Sequence, residues 1–88
     1  MAKVMAVVKV MPEDVGINLE QLKDDIQKSL PEGVSLQKSA VEEVAFGIKV
    51  LKLVLLLPEE EGGTYQVEEA ISKVKGVSQV EVEMVTRV

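Results

Sequence analysis

The residues of this sequence best suited to chemistry are carboxylates, and they come in adjacent groups: Glu13 and Asp14, Asp24 and Asp25, Glu42 and Glu43, Glu59 to Glu61, and Glu68 and Glu69. Two carboxylates can share acid and base work when they face one site and their surroundings push their pKa values apart. Sequence neighbours on a helix or strand point to different sides, and nothing near these pairs is suited to raise one member into the range of a general acid. They read as solvated faces, with a metal or catalytic pair as the alternative. The chain has no Cys and no His, so it offers no thiolate nucleophile, imidazole base, disulfide framework or Cys/His zinc site. Ser29, Ser35, Ser39, Ser72 and Ser78 therefore lack a base to activate them. Gly62 and Gly63 could let an anion approach a helix N-terminus, but three glutamates precede them and no Lys-Ser or Lys-Thr pair follows. These residues imply no catalytic group, metal ligand or cofactor, and an enzyme that makes or breaks covalent bonds is not expected.

What remains is contact chemistry. Phe46 is the sole phenylalanine, set between Ala45 and Gly47, and Tyr65 is the one other aromatic. Ile, Leu, Val, Met and Ala fill the other apolar positions, so the core is assembled almost without rings. Burying a ring removes a large apolar area from water, and Phe46 stands at the edge of the apolar run rather than inside it. The residues alone leave two readings: a ring folded back over the edge of a sheet, or an exposed anchor for a partner.

The elements that position these residues follow from periodicity. Ala2 to Met11 alternates, with Val4, Ala6, Val8 and Val10 on one side, and Pro12 ends the strand. Asn18 is a good N-cap for LEQLKDDIQKSL, with Gln21 at the capping-box position and Leu19, Leu22, Ile26 and Leu30 as an apolar stripe; Pro31 and Gly33 stop this helix. Val34 to Val44 predicts an edge strand with a bulge near Ser39 to Val41. Ile48 to Leu57 is apolar on both faces, with leucine at every odd position from Leu51, as suits a central strand. Thr64 is the expected N-cap of a second helix running to Lys75, with Val67, Ala70, Ile71 and Val74 buried and Gly76 as its stop. A last alternating strand follows, VSQVEVEMVTRV, with Val80, Val82 and Met84 on one face and Val85 and Arg87 on the other.

The order strand, helix, strand, strand, helix, strand, with a right-handed crossover in each half, places both helices on one face of a four-stranded antiparallel sheet. The expected fold is α+β, a ferredoxin-like βαββαβ sandwich. Its open face would carry Met5, Val7, Val50, Val54, Leu56 and Val85 among Lys3, Lys9, Lys52 and Arg87, and an apolar patch of that kind implies a partner or weak self-association through the sheet.

Composition narrows the partners. At 88 residues the chain is expected to be a single domain, residues 1–88, with one core. A net charge of -5 argues against direct nucleic-acid contact, which draws on clustered Lys and Arg, and two aromatics cannot build a base-stacking platform. MAKVMAVVKVMPED is interrupted by Lys3 and Lys9 and has no cleavage pattern, and IKVLKLVLLL is too short to span a bilayer. A soluble cytoplasmic protein with no membrane partner is expected.

At VAFGIKVLKL the chain resembles a known family. Residues Ala45 to Leu53 are similar to the G-[FY]-G-I-K-K-L-Q-I signature of the guanine-exchange domain of elongation factor 1-beta, and the resemblance runs on through the acidic loop to Gly63 and Thr64. It covers essentially the whole chain, and VKVMPE near the start resembles the archaeal form. The resemblance implies a single guanine-nucleotide exchange domain over residues 1–88 that binds the GTPase elongation factor 1-alpha and speeds release of its GDP in protein synthesis. By it, Phe46 matches an aromatic residue that inserts into a pocket of the GTPase, Gly47 belongs to the same motif, and Lys49 is a flanking contact. Arg87 stands where the family has a penultimate lysine directed at the nucleotide's magnesium site, and its planar guanidinium is bulkier than an ammonium. Ala45 and Val50 also depart from the motif. Two other readings stand beside this one on the residues alone: a small ligand-binding regulatory module dimerising through the open sheet face, or a structural subunit docking by that face.

Overall fold

The computed structural model describes residues 3–45, 47–59 and 63–88. The chain runs β1 (Lys3–Pro12), α1 (Leu19–Ser29), β2 (Ser35–Ala45), β3 (Ile48–Pro58), α2 (Gly63–Ser72) and β4 (Val77–Arg87). The four strands form one antiparallel sheet in the order β2-β3-β1-β4. This is the ferredoxin-like βαββαβ sandwich expected from the element order. β3 lies inside the sheet, between β2 and β1, which accounts for the apolar residues on both of its faces.

The core forms where the strand and helix periodicities meet. Ala6, Val8 and Val10 of β1 and Leu51, Leu53, Leu55 and Leu57 of β3 point to one face, and Leu22 and Ile26 of α1 with Val67 and Ile71 of α2 close over them. Among the described residues this core holds no polar or charged side chain. Burial of each such leucine or isoleucine contributes about 2 kcal/mol, and the core formed by the described residues is aliphatic throughout. No helix among the described residues is long and apolar enough to cross a membrane.

The helix ends show local chemistry at work. Asn18 Oδ1 accepts hydrogen bonds from the backbone N–H of Glu20 (2.9 Å) and Gln21 (3.1 Å), satisfying two orphan donors of α1. Gln21 turns its own amide to Asp25 (3.0 Å) and does not close the capping box. At the other end Leu30 is extended (φ −63°, ψ 141°), because the ring of Pro31 disfavours helical geometry in the residue before it. α2 begins at Gly63, one residue before the expected cap Thr64, and stops at Ser72 instead of Lys75. There the chain turns: Val74 N–H donates to Ile71 (3.0 Å), Val77 N–H donates to Val74 (3.2 Å), and Gly76 adopts φ +101° to redirect the backbone into β4.

The register corrects the expected bulges. In β2, Ser39, Ala40 and Val41 keep step with Leu53, Lys52 and Leu51, and the shifts fall instead between Leu36 and Lys38 and between Glu43 and Ala45, towards the strand ends. In β4 a shift at Glu83 separates Val82, opposite Val8, from Met84, opposite Val7. One inserted residue moves the remaining side chains to the other face. Met84 and Thr86 therefore join the open face, while Val85 and Arg87, expected there, lie on the helix side. Val50 also departs from expectation: its place opposite Glu42 puts it on the open face, yet it is 1% exposed. The open face is thus less apolar on its surface than the sequence suggests, with Met5, Val7, Val54 and Leu56 half-buried.

Candidate functional site

The site residues suggested by the sequence fall at the two ends of the sheet. Gly47 and Lys49 belong to the β2–β3 hairpin, and Phe46 between Ala45 and Gly47 lies outside the described residues. Gly47 has φ +75°, a left-handed conformation that L-residues rarely adopt, and a Cβ placed there would meet no described residue beyond its chain neighbours within 4 Å. Backbone sign, and not crowding, therefore requires this glycine. Its N–H donates to the Glu43 carboxylate (3.3 Å), which ties the turn to β2. Lys49 is exposed in the next turn of register, paired across the strands with Glu43.

Beside the hairpin runs an open groove of about 1140 Å³ between β2 and β3 on one side and the β1–α1 connection on the other. Val41, Glu43, Lys49 and Leu51 line its sheet side, and Val15, Ile17, Glu20 and Lys23 its other wall. The connection is held by Asp14, whose side chain accepts from Gly16 N–H (2.9 Å) and whose carbonyl accepts from Ile17 N–H (3.2 Å). This turn leaves Val15 80% exposed, and Val41, Val44 and Ile48 are exposed across from it. Exposed aliphatic groups around a polar turn suit contact with another macromolecule better than acid–base chemistry. The sequence carried a signal for Val15, a lone aliphatic between Asp14 and Gly16 that no strand or helix period claims.

Arg87 is not part of this cluster. It pairs in register with Val4, whose other neighbour is Leu57, at the far end of β3 from Gly47. Ten residues of strand at about 3.3 Å each put the two positions roughly 30 Å apart, along a molecule 41 Å in its longest dimension. Arg87 Nε donates to Glu59 Oε2 (2.7 Å) and its Nη2 donates to Glu59 Oε1. The Glu59 carboxylate, through these hydrogen bonds first and its charge second, holds the Arg87 guanidinium above its already high pKa. No local pattern marks this pair, because its members lie 28 positions apart.

A second charged cluster lies on the open face. Lys52 reaches Glu83 (3.3 Å) and Glu42 (3.5 Å), and Lys9 reaches Glu83 (3.6 Å), so one line of charges crosses all four strands. The hydrogen bond that Lys52 donates to Glu83, and the negative charge of Glu42, push the Lys52 pKa up. No group of three metal-ligating side chains suited to an ion occurs among the described residues.

Residues 5–88 match the model of the EF-1 guanine nucleotide exchange domain. The chain belongs to this family. Its relatives include proteins named elongation factor 1-beta from Staphylothermus marinus, 52% identical across 100% of this chain and 99% of that protein, and from Desulfurococcus amylolyticus, 50% identical across 99% and 98%. A third, from Methanococcoides burtonii, is 50% identical across 93% of this chain and 92% of its own length. Among solved structures the ACT domain from GTP pyrophosphokinase of Chlorobium tepidum resembles the chain with a TM-score of 0.63, covering 92% of this chain and 99% of that domain. At 17% identity that likeness shows the fold alone. The described residues of the Ala45–Leu53 motif fall at the end of β2, at Gly47 and on the first half of β3.

Proposed function

We propose that this chain, as a single exchange domain over residues 1–88, acts in translation elongation by promoting exchange of GDP for GTP on elongation factor 1-alpha. The observation that carries the reading is the match of residues 5–88 to the guanine nucleotide exchange domain. The role requires no nucleophile and no base, since no covalent bond changes. An exchange factor binds the nucleotide-free GTPase more tightly than the loaded form, and linkage then obliges the GTPase to hold nucleotide less tightly when the factor is bound.

In this reading Phe46 is the aromatic anchor, presented by a hairpin whose turn is set by Gly47 and flanked by Lys49. Arg87 is the cation directed at the nucleotide's magnesium site. Magnesium keeps near-octahedral geometry and tolerates little distortion, so a cation or a displaced backbone beside it weakens the hold on phosphate. With roughly 30 Å of β3 between hairpin and Arg87, the GTPase is gripped at two separate places rather than through one pocket. The test is release of a fluorescent GDP analogue from the cognate GTPase by wild type, by Phe46→Ala and by a chain lacking Arg87 and Val88. Both variants should be slower; wild-type rates from both would sink the assignment of the two ends.

A further inference from the structure

One ion pair in the described structure engages a group that the exchange reading needs elsewhere. Arg87 and Glu59 come from strand ends that are not neighbours in the sheet: Glu59 follows β3, Arg87 closes β4, and β1 lies between them. The guanidinium reaches past the start of β1 and offers two nitrogens to both oxygens of one carboxylate. The backbone of Arg87 is fixed, because the next residue, Val88, donates its N–H to the Lys3 carbonyl (2.9 Å) and extends the β4–β1 ladder. Only the side chain can move. It is 74% exposed while that of Glu59 is 32% exposed, so the carboxylate is the seated partner and the arginine the one free to leave.

We propose that Glu59 is a restraining clasp on Arg87: it competes with the GTPase for the guanidinium and opens when the complex forms. This rests on the exchange reading of Arg87. A bidentate pair occupies one whole edge of the guanidinium fork, so that edge cannot serve a partner group at the same time. A pair this exposed shifts an equilibrium by no more than about five-fold, so the clasp slows engagement without blocking it. A carboxylate that instead presented Arg87 to the partner would act with the opposite sign.

The test is Glu59→Gln, which keeps the side chain's shape and removes its charge. GDP release from the GTPase at low salt should become about two- to five-fold faster, the gain should vanish near 1 M salt, where the Debye length is about 3 Å, and Glu59→Gln should add nothing in an Arg87→Ala background. Slower or unchanged release, or an equal gain without Arg87, overturns the proposal. In the isolated, isotope-labelled chain the Arg87 Nε–H resonance should move on Glu59→Gln, and a resonance that stays in place also overturns it. A wild-type chain that leaves GDP release untouched is a different failure, that of the exchange reading, and the resonance still reports whether the pair forms in the free protein.

Discussion

The two ends of the sheet are built on opposite plans. At the hairpin end the backbone sets the geometry: Gly47 takes φ +75°, the space beside it is empty, and Val15, Val44 and Ile48 stand exposed around an open groove. At the other end side chains set it, with Arg87 drawn onto Glu59 and the last peptide N–H zipped to Lys3. One end presents its groups and the other withholds them. A factor gripping a partner at both can engage the open end first and the closed end only after an ion pair has parted.

The largest effect should come from the strand that joins them. Leu53 is fully buried at the centre of β3, and Leu53→Ala should cost about 3 kcal/mol in denaturant unfolding. Both ends should lose hydrogen-exchange protection together. Protection that survives at one end would show that the ends are supported separately. Next comes Phe46→Ala, which should weaken binding to the GTPase by about 2 kcal/mol while leaving the melting temperature near wild type. A large fall in melting temperature with unchanged binding would return the ring to a packing role. Gly47→Ala should destabilise by about 1 kcal/mol, the cost of holding an L-residue in the left-handed region, and should impair exchange through the hairpin alone. Calorimetry and GDP release on the same variant check both parts.

The smallest effect lies midway, on the open face. Glu83 and Glu42 raise the folded-state pKa of Lys52 above its ordinary 10.5. The sign follows from linkage: the folded state holds this proton more tightly, so the contribution to stability is complete below the unfolded pKa and is lost as pH rises through the folded one. Melting temperatures measured from about pH 9 to pH 12, spanning the ordinary lysine range, should fall more steeply for wild type than for Lys52→Met. Parallel curves would mean that solvent screens the cluster completely.

Much of this architecture was legible in the residues. Alternation in β1, the leucine run of β3 and the stripe Leu22–Ile26 behind Asn18 each follow a period that only one face of one element can satisfy. The bulge at Glu83 was not legible, because no glycine marks an insertion and the one break in the alternation, Met84 beside Val85, falls after it. That single inserted residue carries Arg87 to the helix side, where Glu59 waits, so the missed bulge and the missed ion pair are one event. At the hairpin the glycine of AFG announced its turn, since no other residue is as easily placed at positive φ. The groove beside it was invisible, being formed by two segments that only the sheet order brings together.

The emptiness around Gly47 has a stereochemical consequence. Since a Cβ there meets none of the described residues beyond its chain neighbours and handedness is what stands against it, a D-alanine introduced by chemical synthesis should seat without strain. It would also narrow the unfolded chain's freedom, a gain of about 0.4–1 kcal/mol where the native angles suit the new residue. The same methyl group should thus harm the hairpin in one chirality and stiffen it in the other.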